Sequence, residues 1–134
     1  MVGYSGKPLV AKLGIKPHSR LQLRGAPPGF AAELEPLPDG VSITGARAKQ
    51  ADCVLLFATT ALELSRVFPR AAAILPPAGQ VWVAWPKRAA KVPTELSEAE
   101  VRRIGLAGGL VDIKVCAITE VWSGLKFVRR LKDR

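Results

Sequence analysis

The chain has 134 residues, of which 49% are apolar and 23% are charged, and its formal net charge is +9 at pH 7. This length suits one domain that buries enough apolar surface to fold without disulfide staples. Its longest uncharged stretch, residues 71–86, is interrupted by Pro76, Pro77 and Gly79, which excludes a membrane-spanning helix of about 20 residues.

The N-terminal segment does not resemble a signal peptide, because Gly3, Gly6 and Pro8 interrupt any apolar run within the first 13 residues. The two cysteines, Cys53 and Cys116, both lie in apolar runs and are expected to be buried, reduced thiols. Together these features predict a cytoplasmic protein.

The first part of the chain predicts two short helices and two strands. Residues 8–13 begin with a proline and are followed by Gly14, which is the pattern of a short helix. Arg20–Arg24 alternates apolar and polar residues and therefore predicts a strand, and a turn rich in glycine and proline follows it. A second short helix is predicted over Phe30–Leu34 and a brief strand over residues 41–43.

The second part contains two apolar runs, Cys53–Phe57 and residues 81–85, that suit strands buried on both faces. A capping box that begins at Thr60 opens the helix between them, and Pro69 is expected to kink or divide that helix. Another capping box, at residues 97–100, opens a helix that two glycines end. Two strands over residues 111–118 and 125–128 follow, and their short link predicts an antiparallel pair.

Strands that alternate with helices predict right-handed crossovers and a sheet covered on both faces. We therefore expect one α/β domain over residues 1–134. It should have three layers and a mostly parallel sheet, to which the C-terminal hairpin adds one antiparallel strand. The two apolar runs should lie side by side in this sheet and point the same way.

In an open parallel sheet, ligands bind beyond the carboxyl ends of the strands. Four segments should meet there: the turn after the first strand, the residues after each apolar run, and the link between the last two strands. The ligand-binding candidates in these segments are Gly25, Ala26, Gly29, Phe30, Thr59, Thr60, Trp85, Lys87, Arg88, Trp122 and Ser123.

Each candidate also has a structural interpretation. The turn at residues 25–29 can cradle a phosphate at the start of the next helix, but its two prolines remove donors, which equally fits a plain tight turn. Capping of a helix is a sufficient role for Thr60. Trp85 and Trp122 suit either a stacking surface or the core. Lys87, Arg88 and Lys91 suit either contact with an anionic ligand or a solvated surface.

No catalytic or metal site is predicted. His18 is the one histidine, and it is remote from the expected ligand edge, so no serine–histidine–acid arrangement can form there. It also has no companion with metal-ligand spacing. The acids Glu63, Glu98 and Glu100 lie at helix starts, where they satisfy free N–H groups and the helix dipole.

Several stretches of the chain resemble known patterns. The order of the elements, with the turn Pro77-Ala78-Gly79 before an apolar strand, resembles a shortened class I methyltransferase-type Rossmann fold. Four stretches resemble a family of small bacterial proteins of unknown function, and they read GYSGKPL, WVAWPK, LVDIKVC and WSGLKFV. This second resemblance covers nearly the whole chain, and it implies a fold but no established activity.

The chain departs from the methyltransferase pattern where that pattern holds its cofactor. An acid should close the first strand before a Gly-x-Gly turn, whereas this chain has Arg24 followed by Gly25-Ala26-Pro27. A second acid should end the next strand, and residues 41–44 offer none. Each polar group left unpaired costs on the order of 1–3 kcal/mol. S-adenosylmethionine in its usual pose and dinucleotides are therefore not expected, and no cofactor is predicted.

Three functions remain as hypotheses. The first is a non-catalytic binding protein that takes an anionic small ligand or partner at the carboxyl ends of the strands. The second is a nucleic-acid-associated accessory protein, because basic residues are concentrated near both termini and around Lys87. The third is a divergent transferase. The sequence leaves the ligand and the oligomeric state open.

Overall fold

The computed structural model describes residues 7–134, so the GYSGKPL stretch lies mostly outside the described residues. The α-helices over this range are α1 (Leu9–Leu13), α2 (Ala61–Ala73) and α3 (Glu98–Ala107), and the strands are β1 (Arg20–Arg24), β2 (Ser42–Thr44), β3 (Cys53–Phe57), β4 (Gln80–Pro86), β5 (Leu110–Ala117) and β6 (Trp122–Arg129). Three 3-10 helices lie at Phe30–Leu34, Arg88–Ala90 and Leu131–Asp133. Between residues 7 and 134, no helix has the length and apolar character needed to cross a membrane.

The strands form one sheet in the order β2-β1-β3-β4-β6-β5. The first four strands pair in parallel, whereas β6 pairs antiparallel with both β4 and β5. β5 therefore runs in the same direction as β1 to β4. The predicted parallel contact between the two apolar strands is confirmed, and so is the mostly parallel α/β fold with an antiparallel strand from the C-terminal hairpin.

β3 and β4 lie at the centre of the sheet because they are apolar enough to be covered on both faces. Every residue of both strands is buried. Alternate side chains of a strand point to opposite faces, so Trp82 lies in the core beneath α1 and the first 3-10 helix, while Trp85 lies in the core beneath α2 and α3. The helices therefore form layers on both faces of the sheet, as predicted.

Pro69 does not divide helix α2, which continues through it from Ala61 to Ala73. Division was one of the two effects expected of this proline, and the other was a kink. A proline inside a helix leaves the carbonyl four residues earlier without its usual donor. Here that carbonyl belongs to Ser65, and both Ser65 and Pro69 are exposed. Water can satisfy the freed carbonyl at such a position, so the helix keeps its path along the sheet.

Four strands differ from their predicted bounds, and β4 and β5 differ by only one residue at each end. β2 lies one residue later than expected, at Ser42–Thr44. β6 begins at Trp122 instead of residue 125, because it pairs with β4 along the whole of that strand, from Gln80 opposite Val128 to Pro86 opposite Trp122. Trp122 and Ser123 are therefore strand residues, and the turn between β5 and β6 shortens to residues 118–121.

Candidate functional site

The carboxyl ends of β1, β3 and β4 meet the turn between β5 and β6 at one edge of the sheet. We call this edge, made of residues 25–30, 58–60, 86–88 and 119–123, the carboxyl rim. Backbone hydrogen bonds tie it together: the amide of Lys87 donates to the carbonyl of Val121 at 2.7 Å, and the amide of Ala58 donates to the carbonyl of Ala84 at 3.0 Å. The structure thus places the four predicted segments side by side, where ligands bind in folds of this type.

Three aromatic rings pack edge to face at the carboxyl rim. The ring centroids of Phe30 and Phe57 are 4.8 Å apart, and those of Phe57 and Trp122 are 5.0 Å apart. Phe30 and Phe57 are buried, whereas Trp122 is half-buried. Each such pair contributes about 0.5–1.5 kcal/mol beyond its burial. The cluster therefore fixes the positions of the loop after β1, the end of β3 and the start of β6 relative to one another.

A groove of about 350 Å³ lies beside Trp122. It is lined by Pro27, Pro28, Gly29, Phe30, Glu33, Thr119, Glu120, Val121 and Trp122. The Thr119 hydroxyl accepts hydrogen bonds from the amides of Val121 and Trp122, both at 3.1 Å, which holds one wall in place. The exposed carboxylates of Glu33 and Glu120 make the groove itself acidic.

Gly25 and Gly29 shape the turn after β1, and both have positive φ, at +67° and +79°. A Cβ on Gly25 would lie 2.8 Å from the carbonyl oxygen of Phe57, so only glycine lets the turn pass this close to the end of β3. A Cβ on Gly29 would meet nothing within 4 Å. Ala26, between them, packs against the core on the α1 side of the sheet.

Thr59 and Thr60 are engaged in the local structure at the start of α2. The Thr60 hydroxyl accepts a hydrogen bond from the amide of Glu63 at 3.1 Å, and the Glu63 carboxylate accepts one from the amide of Thr59 at 3.3 Å. The carboxylate of Glu95 accepts from the amide of Ala61 at 2.8 Å. The start of α2 is thus already supplied with acceptors, and neither threonine lines the groove.

The remaining candidates differ in exposure. Trp85 is only 6% exposed and packs in the core on the α2 and α3 side, so the idea of Trp85 as a stacking surface is corrected by its burial. Lys87 is half-buried and Arg88 is exposed at the start of a 3-10 helix. Ser123 is half-buried in β6, opposite Trp85. Of the two tryptophans proposed for ligand contact, Trp122 alone lies on the groove.

A larger cavity, of about 550 Å³, lies at the opposite edge, where β1, β3 and β4 begin and β6 ends. We call it the amino-edge cavity, and it is lined by residues 14–19, Asp52, Cys53, residues 76–80, Lys126, Val128 and Arg134. Sequence reasoning missed it because the rule for parallel sheets points to the other edge. The available signal was Lys126, a lysine between two apolar residues of a predicted strand.

Two side chains of the amino-edge cavity, Asp52 and Cys53, have shifted pKa values. The side chain of Arg20 hydrogen-bonds Asp52 at 3.2 Å and its amide does so at 2.7 Å, and these bonds lower the pKa of Asp52. Burial raises the pKa of the Cys53 thiol to about 11, so the thiol stays protonated at neutral pH and is a weak nucleophile. Both cysteines are free thiols, and Cys116 is half-buried.

Comparison with solved structures identifies the fold class. Fibrillarin from Aeropyrum pernix, solved with S-adenosyl-L-methionine, matches with a TM-score of 0.63 and 16% identity, over 94% of this chain and 70% of that one. A SAM-dependent methyltransferase from Aquifex aeolicus matches with a TM-score of 0.64 and 14% identity, over 89% of this chain and 86% of that one. The ribosomal protein L11 methylase from Lactobacillus delbrueckii subsp. bulgaricus matches with a TM-score of 0.64 and 14% identity, over 91% of this chain and 75% of that one.

These comparisons confirm a shortened class I methyltransferase-like Rossmann fold. Identities this low show the fold alone. No protein-family model and no curated protein matches the sequence.

The ends of β1 and β2 do not fit S-adenosylmethionine in the pose that the resemblance implies. The Nε of Arg24 donates to the side-chain oxygen of Gln22 at 2.6 Å, and the Gln22 amide donates to the carbonyl of Gly45 at 2.9 Å. Gln22 is fully buried. Arg24 thus ends β1 and no acidic residue ends β2, so the cofactor's hydroxyls lack the carboxylate acceptors that the resemblance implies.

Proposed function

We propose that this protein binds a small ligand carrying an anionic group at the carboxyl rim and does not transfer methyl groups. The observation that carries the proposal is the groove beside Trp122, which forms where separate segments of the chain converge. The aromatic cluster and the backbone bonds of the rim hold these segments in place without a ligand. A preformed groove with a few polar groups is what binding of a small molecule requires.

The charges of the rim determine how such a ligand lies. Glu33 and Glu120 line the groove, so an anionic group is disfavoured inside it. Lys87 and Arg88 directly follow β4, and the Lys87 amide is bonded to the turn that forms one groove wall. The ligand's uncharged, planar part therefore contacts Trp122, and its anionic part extends toward the two cations.

Binding is favoured over catalysis because of what lines the groove. Its described lining contains no histidine, cysteine or lysine, and its two carboxylates are exposed. Histidine, the side chain that most often serves as a general base, is therefore missing from the described lining. The hydrogen bonds from Arg24 to Gln22 and from Gln22 to Gly45 also differ from the acidic residues that the methyltransferase pattern has at its strand ends. A divergent transferase is the alternative that the experiment must exclude.

The test is a thermal-shift and calorimetric screen of the whole chain with nucleotides, other phosphorylated metabolites and S-adenosylmethionine. We expect a phosphate-bearing ligand to stabilise the protein and S-adenosylmethionine to leave its melting temperature unchanged. Lys87→Ala and Trp122→Leu should each weaken binding about tenfold, the equivalent of one charge-assisted bond or one stacking contact. Glu120→Gln should tighten binding, because it removes a like charge from the groove.

Lys49→Ala is the matched control, since it removes one exposed lysine that lies outside the groove. It should bind the ligand as the wild type does. Full affinity in both rim variants, or no stabilising ligand in the screen, would contradict the proposal. Stabilisation by S-adenosylmethionine together with methyl transfer would favour the divergent transferase.

A further inference from the structure

The amino-edge cavity is a second concave site, at the edge where folds of this type do not bind their ligands. Its volume of about 550 Å³ exceeds that of the groove at the carboxyl rim. Pro17, Pro76 and Pro77 lie in its walls, and proline fixes the backbone angle φ. The starts of β1, β3 and β4 bound it on the side of the sheet. Strand starts and residues of fixed φ therefore form much of the cavity wall.

The lining of this cavity carries positive charge without anionic partners. Lys16, Lys126 and Arg134 line it, and over residues 7–134 none of the three forms an ion pair. The one acidic side chain in the described lining is Asp52. Arg20 already engages its carboxylate through the amide, Nε and Nη2, at 2.7, 3.2 and 3.3 Å. The cavity therefore has an uncompensated positive field.

Lys126 is the residue that distinguishes this cavity from an ordinary basic surface. It lies on β6 opposite Trp82, and its ammonium is 6.0 Å from the centroid of the Trp82 ring. The side chain is half-buried, whereas a solvated surface lysine extends into water. Burial lowers the pKa of Lys126, and the neighbouring charges of Lys114 and Lys16 lower it further. Keeping this ammonium here costs stability unless an anion supplies the opposite charge.

We propose that the amino-edge cavity binds a small molecule through its phosphate group, with Lys126 and Lys16 as the cations that contact the phosphate. Cations from separate segments suit a group with two negative charges, which accepts several charge-assisted hydrogen bonds at once. The cavity is much larger than a phosphate ion, so it also holds the organic part of the ligand against the proline wall. This site is separate from the carboxyl rim and does not depend on the function proposed there.

The experiment measures binding of inorganic phosphate, pyrophosphate and AMP to the whole chain by calorimetry at constant ionic strength, with chloride as the reference anion. Lys126→Met removes the charge and keeps the stem against Trp82, and we expect it to weaken binding about tenfold. Lys16→Met should give a similar loss, and because Lys16 is exposed this variant tests the site even if Lys126→Met does not fold. Lys49→Met, which removes an exposed lysine outside the cavity, should keep wild-type affinity.

A second readout follows the charge of Lys126 itself. Carbon-13 NMR of the labelled lysine should show its pKa rising when phosphate saturates the protein, because the phosphate favours the charged ammonium. The rim variant Lys87→Ala should leave phosphate binding at the cavity unchanged, so failure of one site is distinguishable from failure of the other. Unchanged affinity in Lys126→Met and Lys16→Met, an equal loss in Lys49→Met, or no binding of any probe would overturn the proposal.

Discussion

Gly25 and Gly29 have nearly the same backbone conformation and very different surroundings. Both have positive φ, which disfavours any residue with a Cβ. At Gly25, the added carbon would also meet the backbone carbonyl of Phe57, which cannot move without disturbing β3. At Gly29 the space is open. The pair therefore separates the cost of backbone conformation from the cost of steric contact.

We expect Gly29→Ala to lower the free energy of unfolding by about 1–2 kcal/mol, the cost of a left-handed conformation for an L-residue. Gly25→Ala should cost a further 1–3 kcal/mol or so, the usual effect of forcing extra volume into a packed region. Urea denaturation of the two variants and the wild type gives both values. Equal losses would show that the turn after β1 is not pressed against β3.

At the scale of elements, α2 is held at both ends by side chains from outside the helix. Glu95 accepts a hydrogen bond from the amide of Ala61 at the start of α2. At the other end, the guanidinium of Arg129 on β6 donates to the carbonyls of Ala72 and Leu75, at 2.8 and 3.0 Å. A cation at this end satisfies free carbonyls and opposes the negative end of the helix dipole. Strand β6 thus stabilises α2, the helix that covers the centre of the sheet.

Arg129→Met should lower the free energy of unfolding by about 1.5–3 kcal/mol, the range for hydrogen bonds to a charged group. Arg130→Met serves as its control, because the neighbouring arginine is exposed and should change stability by less than about 0.5 kcal/mol. Chemical denaturation measures both, and hydrogen exchange should be faster at the end of α2 in Arg129→Met alone. Similar stabilities for the two variants would contradict this role.

The elements that the sequence predicts best are those with local signals. β1 and β3 have their predicted boundaries, because alternation in one and a continuous apolar run in the other are properties of the strand itself. The early start of β6 at Trp122 depends on pairing with β4, which is distant in the sequence. The path of α2 through Pro69 depends on which side of the helix faces water.

The same distinction applies to the candidate site. The position of residues 25–30 and of Trp122 at one edge follows from the shared direction of the parallel strands, which the alternation of strands and helices predicts. The burial of Trp85 agrees with the continuous apolar run of residues 81–85, which suits a strand covered on both faces, and α2 and α3 provide the cover. The amino-edge cavity requires knowing that β6 inserts between β4 and β5, which brings Lys126 beside Trp82.

At the scale of the whole molecule, the net charge of +9 attracts any polyanion, whether or not a specific site exists. Binding through surface charges releases counterions from the nucleic acid and therefore weakens steeply with salt. Binding of a small anion by a half-buried lysine depends much less on salt, because a buried charge is poorly screened. Ionic strength thus separates the nucleic-acid hypothesis from the two ligand sites.

We expect RNA and DNA to bind at about 50 mM salt and to lose on the order of 10³-fold in affinity by about 200 mM, as for proteins with several phosphate contacts. Lys126→Met and Lys49→Met should weaken this binding equally, since each removes one charge. Fluorescence anisotropy with labelled oligonucleotides across a salt series provides the measurement. Absence of binding even at low salt would exclude the nucleic-acid hypothesis.

The reversed direction of β6 has a practical consequence for experiments on this protein. Because β6 runs against the other strands, its last residues and Arg134 lie at the edge where β1, β3 and β4 begin. An affinity tag fused after Arg134 would place extra chain beside the amino-edge cavity and far from the carboxyl rim. A ligand screen on such a fusion would therefore test the carboxyl rim freely, whereas the tag would hinder access to the amino-edge cavity.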